Sequence, residues 1–237
     1  MTGRPQHWIL VLASCALATA LAYALIDRPF AIWSHGHLHG YAIFDRMTLL
    51  TGWFPPIAVA IFCATGFARY LGWRIPKVAE AALLCSVSLV VARAAKDQIK
   101  VLFGRTWPET WVNNNPSLIR DGAFGFNPLH GGSGFEAFPS GHMTGICAVI
   151  VVLWAYYPRY YAFYLVPVLV ISVGLLGANY HFVSDIIAGG FLGASIAVFS
   201  MALFSTQESR PVISAEMDGT AAPVIRAKSH RDSAING

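Results

Sequence analysis

Phe138-Pro139-Ser140-Gly141-His142 leads into an apolar run, Met143 to Tyr156. A proline before a glycine-containing turn, followed by a long apolar segment, predicts a helix start. A helix start presents free backbone N–H groups and the positive end of a dipole, which suit an anion, phosphate above all. His142 falls in that first turn, where an imidazole can give or take a proton near neutral pH. Read alone, the pentapeptide also fits an ordinary loop with one surface histidine, so the rest of the chain decides.

The chain has 237 residues, 56% hydrophobic and 12% charged. A soluble domain carries about 25% charged residues. The deficit, together with long apolar runs, predicts a membrane protein. The net charge of +4, with no basic cluster or reading motif, excludes a nucleic-acid partner. Cys15, Cys63, Cys85 and Cys147 each lie inside an apolar run and form no CxxC pair. They signal neither zinc nor a disulfide framework and are read as small core residues.

Working outward, the first apolar span runs from Trp8 to Ile26, about the 20 residues a bilayer core requires. Arg4 with Ala18-Thr19-Ala20 also resembles a signal peptide, and Leu12-Ala13-Ser14-Cys15 a lipoprotein processing site. A retained helix is favoured because the later spans then make a coherent bundle. Asp27 to Met47 is expected to be a polar-aromatic loop. Its alternate His35, His37 and His39 could bind a metal on extended backbone, but no carboxylate or cysteine completes the set. The second span lies within Thr48 to Tyr70, broken or kinked at Pro55-Pro56. The third is Val78 to Phe103.

That third span carries Arg93, Lys96, Asp97 and Lys100 on one helical face, with Arg93 and Asp97 paired at i,i+4. Ionisable groups at membrane depth are costly and normally face a partner or a wet cavity. A structural ion-pair network with snorkelling side chains is the alternative. Gly104 to Pro139 follows as the longest polar connection, and long loops in compact proteins are often functional. Met143 to Tyr157, Tyr160 to Leu176 and Phe182 to Phe204 complete the spans. Thr206 to Gly237 reads as a disordered tail.

The expected fold is therefore all-α, a bundle of six transmembrane helices with an external loop between the third and fourth. Residues 1–205 form the membrane domain. Arg4, Arg69, Arg74, Lys77, Arg159 and the tail's Arg210, Arg226, Lys228 and Arg231 fall on one side. Arg28, Arg46, Arg105 and Arg120 fall on the other. The positive-inside bias then puts both termini in the cytoplasm. Three pieces converge at the outer face: Lys100 with Arg105, Ser140-Gly141-His142, and His181 with Asp185. At i,i+4 spacing, Asp185 can accept a hydrogen bond from one nitrogen of His181 and leave the other more nucleophilic. The competing reading is that His181 and Asp185 only cap the last helix.

Here the chain resembles the type-2 phosphatidic acid phosphatase family of membrane enzymes, over roughly Ala79 to Leu203. The family shows Lys followed by Arg-Pro, then Pro-Ser-Gly-His, then Ser-Arg, five residues, His, three residues and Asp. Pro139 to His142 and His181-Phe182-Val183-Ser184-Asp185 match. Lys100 and Pro108 keep their spacing, but Trp107 stands where the family has Arg. Gly174 and Leu175 stand where it has Ser-Arg. Soluble haloperoxidases share the motif pattern.

The resemblance implies that His181 attacks phosphorus to form a phosphohistidine while Asp185 orients it. His142 would protonate the leaving oxygen and then activate water. Lys100, Arg105, the Ser140 hydroxyl and the Gly141 N–H would hold the phosphoryl oxygens. Lys96, Arg93 and Arg120 are candidates to replace the missing arginines, Lys96 foremost, with Arg93 the expected partner of Asp97. It calls for no metal or cofactor and names no protein partner. The expected function is an integral membrane lipid phosphatase of a bacterial inner membrane, its site periplasmic, its substrate a phosphorylated lipid among other membrane lipids. Polyprenyl diphosphate, phosphatidate, phosphatidylglycerophosphate and phosphorylated lipid A are the candidates. The alternatives are a lipid-to-lipid phosphotransferase and a non-catalytic protein that binds or moves a lipid head group.

Overall fold

In the computed structural model, residues 5–111 and 113–208 are described, and their regular elements are helices joined by loops, the longest between residues 104 and 140. Three isolated β-bridges, Arg105 to Phe126, Arg105 to Glu136 and Trp107 to Ser117, stitch the long loop. The helices are α1 (Pro5–Leu21), α2 (Asp27–His37), α3 (Ala42–Thr48), α4 (Phe54–Tyr70), α5 (Lys77–Phe103), α6 (Leu118–Asp121), α7 (Gly141–Tyr156), α8 (Tyr161–Gly177) and α9 (Val183–Glu208).

Among the described residues, four helical stretches are long and apolar enough to cross a membrane: His7–His37, Lys77–Phe103, Pro158–Gly177 and Val183–Phe204. The expected second and fourth spans are the shorter apolar helices Phe54–Tyr70 and Gly141–Tyr156. Large side chains such as Leu17, Phe67, Phe163 and Leu169 are mostly exposed on the bundle's outside. That surface suits lipid, not water. The expected disordered tail starts at Thr206, inside α9, and its residues from 209 onward lie outside the described residues.

The first span corrects the sequence reading. The segment after Ile26 is not a loop: α1 passes through one π turn, Ala22–Ile26, straight into α2. Pro29 has no N–H to donate to the carbonyl of Leu25, and a π turn is a common place for a helix to absorb such a loss. Asp27, which reads as a span end, is only 1% exposed. Its charge is met by Arg105, as described below. A second short helix, α3, follows within the same expected loop.

The rest of the bundle is set by close contacts at glycine. A Cβ at Gly193 would lie 2.1 Å from the Thr144 carbonyl oxygen, and one at Gly189 2.5 Å from that of Ser140. The spacing Gly189-x-x-x-Gly193 thus lets α9 lie against α7 backbone to backbone, the small-residue packing favoured between membrane helices. A core of Met143, Ile146, Ile150, Ile171 and Leu175 joins α7 to α8. Leu84, Cys85, Val152 and Ala197 join α5, α7 and α9. Gly104 ends α5 at φ +56, and a Cβ there would run into the Asn127 carbonyl oxygen at 1.8 Å. The chain can therefore turn sharply from the end of the charged helix into the loop that roofs the site.

Candidate active site

Ser140 is the N-cap of α7: its hydroxyl accepts from the N–H of Met143 at 3.5 Å. Its own N–H donates to the Asp185 carbonyl at 3.0 Å, tying the start of α7 to the start of α9. Ser140 is fully buried beneath the site. Gly141 and His142, one and two residues on, line a cavity of about 590 Å3. That cavity is also lined by Arg93, Lys96 and Lys100 of α5, Trp107, Trp111, Ser133 and Glu136 of the loop, Thr48 and Leu49, and Tyr180 and His181.

His181 sits in the turn between α8 and α9. That turn needs Asn179 at φ 57, a left-handed conformation asparagine tolerates. The rings of His142 and His181 meet edge to face, with centroids 6.3 Å apart at 71°. Nδ1 of His181 lies 3.5 Å from Oδ2 of Asp185, too long for a formed hydrogen bond. Catalytic hydrogen bonds often tighten only when substrate is bound. Burial pushes the His181 imidazole below its ordinary pKa, and the Asp185 carboxylate pulls the other way. Tyr180 is pushed up to about 12 by burial and by Asp45 beside its hydroxyl, so it stays a neutral donor.

Asp185 is fixed from both sides. Its Oδ2 accepts from the Phe182 N–H at 2.9 Å, and its Oδ1 accepts from Arg105 Nη1 at 2.5 Å. This corrects the expected role of Arg105. Its guanidinium is fully buried outside the cavity lining, bridging Asp185 to Asp27 with Nη2 2.7 Å from Asp27 Oδ2. Phe182 lies 4.3 Å from it, with Tyr23, Phe124 and Phe126 around it. Ser184 accepts from Arg105, and its N–H and hydroxyl both donate to Asp27. One cation between two carboxylates leaves this cluster with a formal surplus of negative charge behind His181. Positive charge on His181 is thereby favoured.

The expected Arg93–Asp97 pair is absent among the described residues. Lys96, not Arg93, makes the ion pair with Asp97. The Arg93 guanidinium faces the cavity, and its buried Nε has no hydrogen-bond partner among the described residues. Lys96 bends across Gly141, where a Cβ would lie 3.0 Å from its Cε. Arg120 is held by Asp121 and Asn114 on the loop surface and does not line the cavity.

The departures from the motif also have a physical reading. Trp107, at a position expected to be Arg, donates its Nε1–H to the Ser133 carbonyl at 2.7 Å. Its ring lies 5.2 Å from that of His181, and the Lys100 Nζ lies 5.7 Å from it. Trp111 continues this aromatic wall to Tyr180. Leu175, at the other arginine position, is fully buried in the core. Gly174 beside it leaves room for Met47, whose Cβ would sit 2.7 Å from an added one. The cations that line the cavity, Arg93, Lys96 and Lys100, all stand on α5.

The fold also completes a cluster the sequence leaves open. Glu109 of the loop reaches His35, Nδ1 to Oε2 at 2.8 Å, and lies 4.0 Å from Nδ1 of His39. The partners are 74 and 70 residues apart, so no local spacing announces them.

The sequence model described as the PAP2 superfamily matches residues 81–209. The chain is 24% identical over 216 residues to a protein of Rhizobium etli named lipid A 1-phosphatase, covering 85% of this chain and 87% of that one. A lipid A 1-phosphatase of Rhizobium johnstonii is 32% identical over 84 residues, 35% of this chain and 34% of the other. The crystal structure of a transmembrane PAP2-type phosphatidylglycerolphosphate phosphatase from Bacillus subtilis is similar in fold, with a TM-score of 0.54 at 19% identity. The match covers 82% of this chain and 96% of that one.

Proposed function

The chain belongs to the PAP2 superfamily, and from that premise we propose that it is an integral membrane phosphatase that removes phosphate from a lipid through a phosphohistidine. One observation carries this reading: two imidazoles lie edge to face in a cavity shared with Arg93, Lys96 and Lys100. Nδ1 of His181 is turned to Asp185, which leaves Nε2 for phosphorus. The P–N bond forms as the bond from phosphorus to the lipid oxygen breaks, and His142 gives that oxygen its proton. His142 then takes a proton from water, which attacks the phosphohistidine and releases phosphate. The surplus negative charge of the Asp27–Arg105–Asp185 cluster stabilises the positive phosphoimidazole. The α5 cations and the Gly141 N–H hold the phosphoryl oxygens without a metal at the cavity.

Lipid phosphorylated on a sugar is the first substrate to test. The relatives named lipid A 1-phosphatase support it, as does the aromatic wall of Trp107, Trp111 and Tyr180 in the cavity. The site faces the periplasm of a bacterial inner membrane, on the charge asymmetry of the loops. The test is phosphate release by purified protein, with chelator, from lipid A, phosphatidylglycerophosphate and phosphatidate, beside His181→Ala. Release by wild type alone is expected. Equal release by His181→Ala overturns the mechanism, and release only with an added lipid acceptor favours the phosphotransferase.

A further inference from the structure

His35, His39 and Glu109 bring one donor atom each to within 4.8 Å of one another. We propose that they bind a divalent transition-metal ion of the zinc type, at the same end of the molecule as the catalytic cavity but outside its lining. Bonds of about 2.0–2.2 Å in a tetrahedral site put ligand atoms roughly 3.4 Å apart. The present separations from Glu109 Oε2, 2.8 Å to His35 and 4.0 Å to His39, bracket that value. Small rotations of two exposed rings bring both into place. Two imidazoles and one carboxylate are a donor set suited to zinc, with the fourth position left to water.

The cluster has the supports a metal site uses. His35 lies in the last turn of α2 and His39 four residues on, with their rings stacked at 5.4 Å. His37, between them, is turned away, its Nδ1 on the Trp33 carbonyl. Glu109 is buried, and its Oε2 also accepts from the Asn179 amide at 3.2 Å. Such an outer hydrogen bond fixes the carboxylate. Asn179 holds the Ala31 carbonyl as well and stands two residues before His181. Glu109 stands between Trp107 and Trp111 of the cavity wall. A bound ion would therefore tie the end of α2, the loop and the α8–α9 turn together, and so hold the aromatic wall and the nucleophile's turn in register. The role is positioning, and it does not depend on the reaction proposed above.

The experiment uses the full chain in detergent, stripped with chelator and titrated with zinc, with bound metal and thermal unfolding both measured. Wild type is expected to take one zinc per chain and to show a Tm that rises with zinc concentration. His35→Gln/His39→Gln, changed at two exposed positions, should keep the zinc-free Tm. It should lose the zinc-dependent rise, with affinity down by at least about tenfold. With chelator present, its phosphate release should equal that of wild type. No zinc bound by wild type, or the same affinity in the double variant, overturns the site.

Discussion

Arg105 donates to Oδ1 of Asp185 at 2.5 Å, on the oxygen opposite the one that faces His181. In the proposed mechanism the arginine would thus act through the carboxylate, since its buried guanidinium does not line the cavity. Removing it would leave Asp27 and Asp185 facing each other with no cation between them. Breaking a buried pair in this way costs about 3–5 kcal/mol. Arg105→Met should therefore lower the Tm in detergent steeply, and activity with it. Asp27→Asn keeps a hydrogen-bonding group beside Arg105 but removes the surplus negative charge behind His181. It should lower kcat with KM little changed. A purely structural Asp27 would instead leave the kcat of the folded fraction at the wild-type value.

The pH dependence follows from His181. Its folded pKa lies below the ordinary 6.5 because of burial. Between the folded value and 6.5, the unfolded chain binds a proton that the folded chain does not. Stability from this group is thus full above 6.5 and is lost as pH falls through that window. The imidazole also stays neutral and nucleophilic below 6.5, so the acid limb of kcat/KM should fall below that pH. Asp185→Asn removes the interaction that opposes the shift. Its acid limb should move still lower, while kcat drops by about 10²–10⁴, as for orienting carboxylates elsewhere. A limb that moves upward in Asp185→Asn would contradict this account.

Local spacing made half of this arrangement readable. Pro139-Ser140-Gly141-His142 announced a capped helix, and Ser140 caps α7. His181 and Asp185 are neighbours, as their spacing suggested, although His181 stands in the turn before α9 and Asp185 reaches back to it from the helix's first turn. The charged face of α5 was legible because i and i+4 share a helical face, although Lys96 and Arg93 exchange the partners expected of them. The Arg105–Asp27 bridge was not legible, because its residues are 78 apart and Asp27 follows an apolar run as a span end would. Nor was the burial of Leu175, since an apolar residue inside an apolar helix does not say which side it shows. Glu109 beside His35 belongs with these: tertiary packing creates it, and no periodicity encodes it.

The orientation rests on the positive residues flanking the spans and is tested by thiol labelling in intact cells. Asn114 lies exposed on the long loop, and Arg74 is exposed between α4 and α5. In a background without the four native cysteines, Asn114→Cys should react with an impermeant thiol reagent. Arg74→Cys should react only after lysis. The reverse pattern would put the cavity on the cytoplasmic side and remove a periplasmic lipid from consideration.

The last prediction concerns which α5 cation takes over from the arginines that Trp107 and Leu175 replace. A transferring phosphoryl group spreads negative charge over three oxygens, and Lys100 alone answers little of it. Lys96 is partly neutralised by Asp97, whose side chain is 59% exposed. Arg93 has no such partner among the described residues, and its buried Nε lacks a hydrogen bond there. Arg93 is about 10 Å down the helix from Lys100, so a head group bound at Lys100 would have to extend along the cavity to reach its guanidinium. Arg93→Met should therefore lower kcat/KM by more than Lys96→Met does, with a Tm near that of wild type, since it breaks no ion pair. Asp97→Ala should release Lys96 toward the cavity and leave kcat/KM equal to wild type or higher. Phosphate release and thermal unfolding for the three variants decide it. If Arg93→Met turns over like wild type while Lys96→Met fails, the pairing with Asp97 serves to aim Lys96 at phosphate, and Arg93 has no part in binding it.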